Sequence, residues 1–530
     1  TQGSVSKTSS RFFTMNQQYL ANYKMAIGVS QNVELLGGYE TFSLEEQSLS
    51  ASNDHLYSPF IAELNNAFGT LPTSSNVGSS TDHFATKGFV GRIQYDFGNR
   101  YFFNATVRHE GSSRFAPDKR WGTFGSVGAA WILTRESFLK GKLGWLDELK
   151  YKISYGTQGN DQIRNYYAFR DLYRISYNSD TQEYTKVLAN KGNPDLTWEA
   201  QKLFNTGIEF NLRKGILSGS FDYFSRLNSD MLFNVPMPPS AGYSSLPQNI
   251  GSVLNNGFEI DLKSNIINKN NLKWSLFANA TKIHSEILKL PDYTKATGGI
   301  KSSSFIYKEG GSLNQAYLVE YAGVDKVTGQ ALYYVDPDNN NLSTTAVYAD
   351  AEQTDLGDFS VKWYGGFGTT LEAYGFDFTT QLAYQLGGKG YDGGYQELMH
   401  TGKQLGRNWH LDILKAWTPE NPNTDVPRIS SSDDHDQKNS SRFLVSTNYL
   451  SLNNMTLGYS VPKNITDKIK ISKIRVYVSG DNLALISARK GFDPRQGQNA
   501  YGTGLGISTS SGNFVYSQLK VVSGGVSITF

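Results

Sequence analysis

The chain has 530 residues, no cysteine, and 50 Lys and Arg against 48 Asp and Glu, a formal net charge of +2. So balanced a charge leaves no electrostatic footprint for nucleic acid, and without cysteine there is neither a disulfide framework nor a thiol nucleophile. No run of about 18 apolar residues occurs, which excludes a transmembrane helix. The mean hydropathy of −0.43 still allows a membrane β-barrel, because only alternate strand residues face lipid.

The chain opens TQGSVSK, with no Met and no signal peptide, and reads as mature, processed or truncated. A strand over residues 10–24 is predicted to turn at Val29-Ser30-Gln31-Asn32 and return over 33–46. A long polar loop, 47–82, precedes a hairpin over 83–112. In that hairpin Phe89, Gly91, Ile93, Tyr95 and Phe97 share one face, while Val90, Arg92, Gln94 and Asp96 share the other. Gly98-Asn99 is a turn pair, after which Tyr101, Phe103, Ala105 and Val107 alternate with Asn104, Thr106, Arg108 and Glu110. Period-two alternation around such a pair predicts a β-hairpin with one greasy and one charged face.

A strand from Trp121 follows, then one or two helical turns over 136–146, then a strand over 149–158. After a loop over 159–197, a hairpin over 198–232 turns at Arg213-Lys214-Gly215. The loop 233–250 holds four prolines, which should keep it from joining a sheet. A hairpin over 251–286, an insertion over 287–357 and a hairpin turning at Tyr374-Gly375 come next. The polar segment 387–441 separates these from three last strands, of which the final one follows the loop 487–516. One of the three breaks phase: Leu450 and Leu452 have one parity, Met455, Leu457, Tyr459 and Val461 the other. A bulge near Asn453-Asn454 would reconcile them, as would an upper half that projects above the membrane.

The total is about fifteen strands, where nine or more residues each suffice to cross a bilayer. Tight turns at one end and long polar loops at the other are the signature of a transmembrane antiparallel β-barrel. Both the first and the last strand adjoin the long-loop side at their starts, so the strand number is expected to be odd. A closed antiparallel barrel needs an even number and an open edge is costly in lipid, so the chain is expected to be a C-terminal piece.

Several segments resemble the SusC/RagA-like family of TonB-dependent outer-membrane transporters of Bacteroidetes. They include EGSSRFAPDKRWGTFGSVGAAW (110–131), LKYKISYGTQGND (149–161), GNPDLTWEA (192–200) and LSGSFDYFSRLNSDML (217–232). NNGFEIDL (255–262), EYAGVDKVTGQALYY (320–334), YLSLNNMTLGYSVP (449–462) and IRVYVSGDNLALISARKGFDPR (474–495) continue it. The resemblance implies a 22-stranded barrel with a plug domain outside this chain, so that residues 1–530 are the C-terminal part of the barrel. It further implies TonB-driven uptake of oligosaccharides or peptides, with long loops extracellular and the C-terminus periplasmic. The partners it implies are a SusD-like surface lipoprotein, the TonB complex, a plug-bearing N-terminal half, outer-membrane lipid and the barrel assembly machinery. Val522, Val526, Ile528 and Phe530 in the terminal VVSGGVSITF resemble the assembly signal of such barrels. The alternative of another class is a passive porin or a surface-binding barrel.

Among motifs, Gly388 to Gly393 fits GxGxxG but follows an alternating strand, so a loop root is the better reading than a nucleotide site. Asp336 to Asn340 begins like a calcium loop, yet Asn341 and Val347 stand where Gly and Glu belong, which favours a polar turn. Asp433, Asp434 and Asp436 are a calcium candidate set against a solvated acidic loop. No HExxH or GxSxG occurs, and neither enzyme chemistry nor a cofactor is expected. The candidate substrate-binding residues are Tyr391, Asp392, Tyr395, Arg407, Trp409 and Asp412, with His410 and Trp417 nearby. Aromatic faces beside charged groups suit sugars or peptides, and the alternative is packing between loops. Arg114, Trp198, Phe492, Arg495 and Tyr501 are secondary candidates. Arg92, Asp96, Arg108, Glu110 and Lys152 are candidates for a polar lumen wall.

Overall fold

The computed structural model describes residues 3–67, 77–139, 141–163, 165–178, 180–302, 304–402, 406–432, 438–497 and 517–530. Fifteen strands form one sheet in sequence order. They are β1 (Ser4–Ile27), β2 (Gln31–Asp54), β3 (Val77–Phe97), β4 (Tyr101–Ser112), β5 (Trp121–Ile132), β6 (Leu146–Asn160), β7 (Glu199–Leu212) and β8 (Leu217–Ser229). β9 (Ser252–Lys269), β10 (Leu272–Lys289), β11 (Trp363–Ala373), β12 (Phe376–Leu386), β13 (Tyr449–Ser460), β14 (Lys473–Ser487) and β15 (Val521–Thr529) complete it. Contacts fall into two units, one of Thr1–Trp131, Lys152–Phe204 and Arg226–Ser252, the other of Ile132–Tyr151, Asn205–Ser225 and Val253–Phe530.

In the first unit, β3 and β4 join through Gly98 (φ 61°) and Asn99 (φ 51°). Two successive left-handed residues make the primed turn that matches strand twist, and Gly and Asn are the residues that tolerate it. β1 and β2 are longer than expected, at 24 residues each. At about 3.3 Å per residue each runs roughly 80 Å, far beyond what a bilayer about 30 Å thick requires. The first long connection is therefore shorter than 47–82, because β2 continues to Asp54 and β3 already begins at Val77.

The greasy face carries aromatic belts. Tyr101 stacks between Phe97 (6.1 Å) and Trp131 (6.3 Å) at the turn end. Ten residues up, in the row of Gly111 and Trp121, the Trp121 indole stacks on His109 at 4.8 Å. Ten residues at 40° tilt rise roughly 25 Å, the height of the apolar band of an outer-membrane barrel. On the opposite face Arg108 bridges Glu40 and Glu110, and Arg92 lies 3.6 Å from Glu34. Charges of both signs thus neutralise one another across β2, β3 and β4.

In the second unit, β11 and β12 turn at Tyr374 (φ 51°) and Gly375 (φ 91°). β13 carries the expected bulge: its pairing with β14 shifts between Leu452 and Asn454, which leaves Asn453 out of register. The extra residue lets Leu452 and Leu457 serve one strand despite opposite parity. Asp377 and Arg475 pair across β12 and β14. In β15, Val522, Val526 and Ile528 oppose Gly480, Val476 and Ile474 and share one face.

The connections hold more structure than their composition announces. Residues 172–178 and 183–190 form a hairpin. Leu232–Pro236 pairs with Ser245–Asn249, so the prolines do not prevent a small ladder. Each strand there has a free edge, and a proline missing its N–H is tolerated on such an edge. The insertion after β10 contains a four-stranded sheet (300–302, 305–307, 315–319, 353–358) and a three-stranded one (321–324, 331–336, 341–345). Residues 136–139 and 141–146 form turns after a 3-10 turn at Leu133–Arg135.

Candidate functional site

Leaving β12, the chain crosses Gly387 and Gly388, and a Cβ on Gly388 would lie 2.3 Å from the Thr447 hydroxyl. A side chain there would require Thr447 to turn away. Lys389–Tyr391 then pairs antiparallel with Leu444–Ser446. This is the loop root anticipated for the glycine-rich motif, without the parallel strand a dinucleotide requires.

Around it Leu318, Tyr391, Met399, Ile413, Ala416, Val426 and Phe443 form a buried cluster. Leu318 belongs to the insertion after β10 and the rest to the segment between β12 and β13, so two connections share one core. Tyr391 is 4% exposed. Its ring meets Phe443 at 6.0 Å and its hydroxyl lies 3.4 Å from Asn439 Oδ1. Burial pushes the phenol pKa up.

Asp392 caps the helix Gly393–Leu398 by accepting the Tyr395 N–H at 2.8 Å, and it pairs with Arg489. The Arg489 guanidinium lies 3.7 Å from the Tyr395 ring centroid. Tyr395 donates its hydroxyl to Asp412 Oδ2 at 3.0 Å and meets His410 edge-on at 4.9 Å. Burial and the Asp412 carboxylate push the Tyr395 phenol up to about 12. Asp412 accepts from Lys415 at 2.8 Å, and that bond chiefly holds its carboxyl below the usual range. Four predicted residues thus stand together: Tyr391, Asp392, Tyr395 and Asp412.

Arg407 pairs instead with Glu397. Trp409 donates its indole N–H to the His400 carbonyl at 2.7 Å and keeps 45% of its surface exposed. Beyond it Leu411 (80%) and Leu414 (83%) are open. Trp417 donates to the Lys326 carbonyl at 3.2 Å. Arg489 was not legible as a partner, since it lies just past β14 and nothing in its neighbours points to the distant Asp392.

The secondary candidates lie apart. Arg114 lies over the rings of Phe84 (4.4 Å) and Tyr166 (5.1 Å) and donates to the Asp161 and Ile163 carbonyls. Trp198 is buried with Phe115 and Leu196 and donates to the Arg120 carbonyl at 2.7 Å. Phe492 adjoins Asp493, whose carboxylate holds Arg495 at 2.9 and 2.8 Å. Tyr501, Asp433, Asp434 and Asp436 lie outside the described residues. Asp336 accepts from the Asn339 N–H at 3.2 Å and side-chain amide at 2.7 Å, the geometry of a capped polar turn.

Asp358 anchors the insertion. Burial raises its pKa, but hydrogen bonds from Lys362, from the Ser312 hydroxyl (2.6 Å) and from Ser360 outweigh that and hold it at about 2. A carboxyl depressed on folding stabilises above its ordinary value of about 3.9 and loses that stabilisation as pH falls toward 2. Protection of the 315–319 and 353–358 strands against hydrogen exchange, taken relative to the intrinsic rate at each pH, is therefore expected to fall between about pH 4 and 2. Asp358→Asn should remove that step; an unchanged acid profile would refute the assignment.

Residues 1–483 match the family model described as TonB dependent receptor-like, beta-barrel. The chain belongs to that family, whose barrels reside in the outer membrane. It is 28% identical over 508 residues to TonB-dependent receptor P3 of Formosa agariphila, covering 91% of this chain and 48% of that protein. With TonB-dependent receptor SusC of Bacteroides thetaiotaomicron it shares 28% over 423 residues, 77% of this chain and 41% of that one. The structure of the RagAB peptide transporter superposes with a TM-score of 0.84 at 28% identity, over 99% of this chain and 56% of that one. The chain thus spans about half the length of these relatives.

Proposed function

We propose that the chain forms barrel wall and surface loops of a SusC-like active importer of oligosaccharides or peptides. The match to the RagAB transporter over 99% of the chain carries this reading. A plug-bearing N-terminal half would occupy the polar face where Arg92 and Arg108 lie, and TonB would act through that half. A SusD-like lipoprotein would sit over the long, extracellular connections, with the C-terminus periplasmic. The shared core of two connections would hold Trp409 and the Asp392–Arg489–Tyr395–Asp412 network toward incoming substrate, with Arg407 at the rim. Val522, Val526, Ile528 and Phe530 would serve the assembly machinery.

The test is purification from outer membranes in mild detergent, with intact mass and sequencing of every co-purifying polypeptide. A plug-bearing segment and a surface lipoprotein are expected. A monodisperse particle of this chain alone would overturn the reading. Reconstituted intact, the receptor should pass no steady ion current; sustained conductance would mark a passive pore.

A further inference from the structure

On the greasy face of the first unit, below the Trp121 row, lies a shallow open groove of about 600 Å³. Ile93, Val107, Val127 and Tyr155 are among the residues that line it, together with Gly91, Gly125 and the more polar Thr123 and Thr157. Gly91 and Gly125 stand opposite Val107 on either side, so Val107 is flanked by two positions without side chains. A Cβ on Gly91 would meet only the Val107 Cγ1, at 3.5 Å. The groove lies between the two aromatic belts, at a height where the neighbouring surface is membrane hydrocarbon.

Directly above it, the same face changes chemistry. Lys87 is exposed, with its ammonium 5.6 Å from the centroid of the Trp121 ring. His109, stacked on that ring, shares a 2.8 Å hydrogen bond with the Thr123 hydroxyl. Lys87 is four residues above Gly91 on the same strand face, roughly 13 Å along β3. A cation, an aromatic ring and polar donors thus sit at the interface over an apolar cleft.

We propose that this face is a specific lipid site, taking a lipid with an anionic phosphate headgroup. The phosphate lies against Lys87 and the His109–Thr123–Trp121 cluster, and one acyl chain fills the cleft over Gly91 and Gly125. The occupant follows from place and charge. The cleft opens on the membrane, so an acyl chain is what it meets, and the only charge in the row above it on β3, β4 and β5 is positive. Within a bilayer hydrocarbon burial gives little net gain, so retention rests on close packing in the cleft and on the headgroup contact. The inference rests on the outer-membrane placement of the barrel and not on the importer reading.

The experiment is native mass spectrometry of the full-length receptor, extracted from its membrane in mild detergent. One phosphate-bearing lipid per receptor should survive detergent exchange. Gly91→Leu fills the cleft and should lower that occupancy by about tenfold or more. Lys87→Gln should lower it about fivefold, as loss of one cation near a phosphate predicts. Heat-modifiable electrophoretic mobility confirms that each variant remains folded. Millimolar inorganic phosphate should not displace the lipid, whereas an added phospholipid should exchange with it. The proposal is overturned if no lipid is retained, if folded Gly91→Leu retains it fully, or if inorganic phosphate alone competes it away.

Discussion

Replacing Phe443 by Ala is expected to cost about 3–5 kcal/mol, the usual penalty for emptying a buried aromatic site. The ring is 1% exposed and lies 6.0 Å from Tyr391 and 6.3 Å from Tyr395. The Phe443 carbonyl also accepts the Asp392 N–H at 2.9 Å, so its backbone orients the residue that pairs with Arg489. The loss should be local. β11 and β12 are held by their own ladder, whereas the 389–391 and 444–446 strands are three residues each. Hydrogen exchange should therefore rise in residues 389–398 and 315–319 and stay slow in 363–386. If the loop segments exchange as in the parent, or if the whole sheet loosens, the two connections do not share an independent core.

A charge on the lipid face should be as damaging as that cavity. Leu35 stands between Tyr23 and Ile93, in the row that continues to Ala105 and Val127, four residues above the Trp131 belt. Leu35→Arg is expected to destabilise the barrel by about 2–4 kcal/mol, the range for Arg near the bilayer midplane. Gln94→Arg tests the opposite face, because Gln94 lies between Glu34 and Asn104. There the added charge meets a carboxylate and water, and the effect should be small. Denaturant titration of the full receptor in lipid vesicles separates the two. A larger loss for Gln94→Arg would mean that the greasy and polar faces are assigned the wrong way round, and equal losses that neither face is set apart by lipid.

These assignments were legible because lipid and a wet interior enforce strict alternation. The turns at Gly98-Asn99 and Tyr374-Gly375 were readable for a related reason, since left-handed pairs admit few residues. Even the Asn453 bulge was visible, as a parity break between Leu452 and Met455. The signal fades where both faces of a strand meet water. QSLSASND, residues 47–54, and VGSSTD, residues 77–82, are strands in the structure but polar at nearly every position. The small sheets of the insertion escaped for another reason: segments of three to six residues are too short to show a period. Around Asp392 the sequence indicated the local residues and missed Arg489, because composition cannot report a contact between distant loops.

The shared core of the two connections has a consequence for the timing of assembly. Leu318 and Phe443 flank the 363–386 hairpin in sequence, and that hairpin pairs Trp363 with Leu386, bringing the feet of both connections side by side. Until it is laid down, joining them means closing a long, flexible loop at an entropic cost that grows with its length. Afterwards they are tethered neighbours. Contact of Leu318 with Met399 and Phe443 is favoured once this part of the wall stands. Completion of this loop core is thereby made a late event, contingent on the hairpin that carries its two connections.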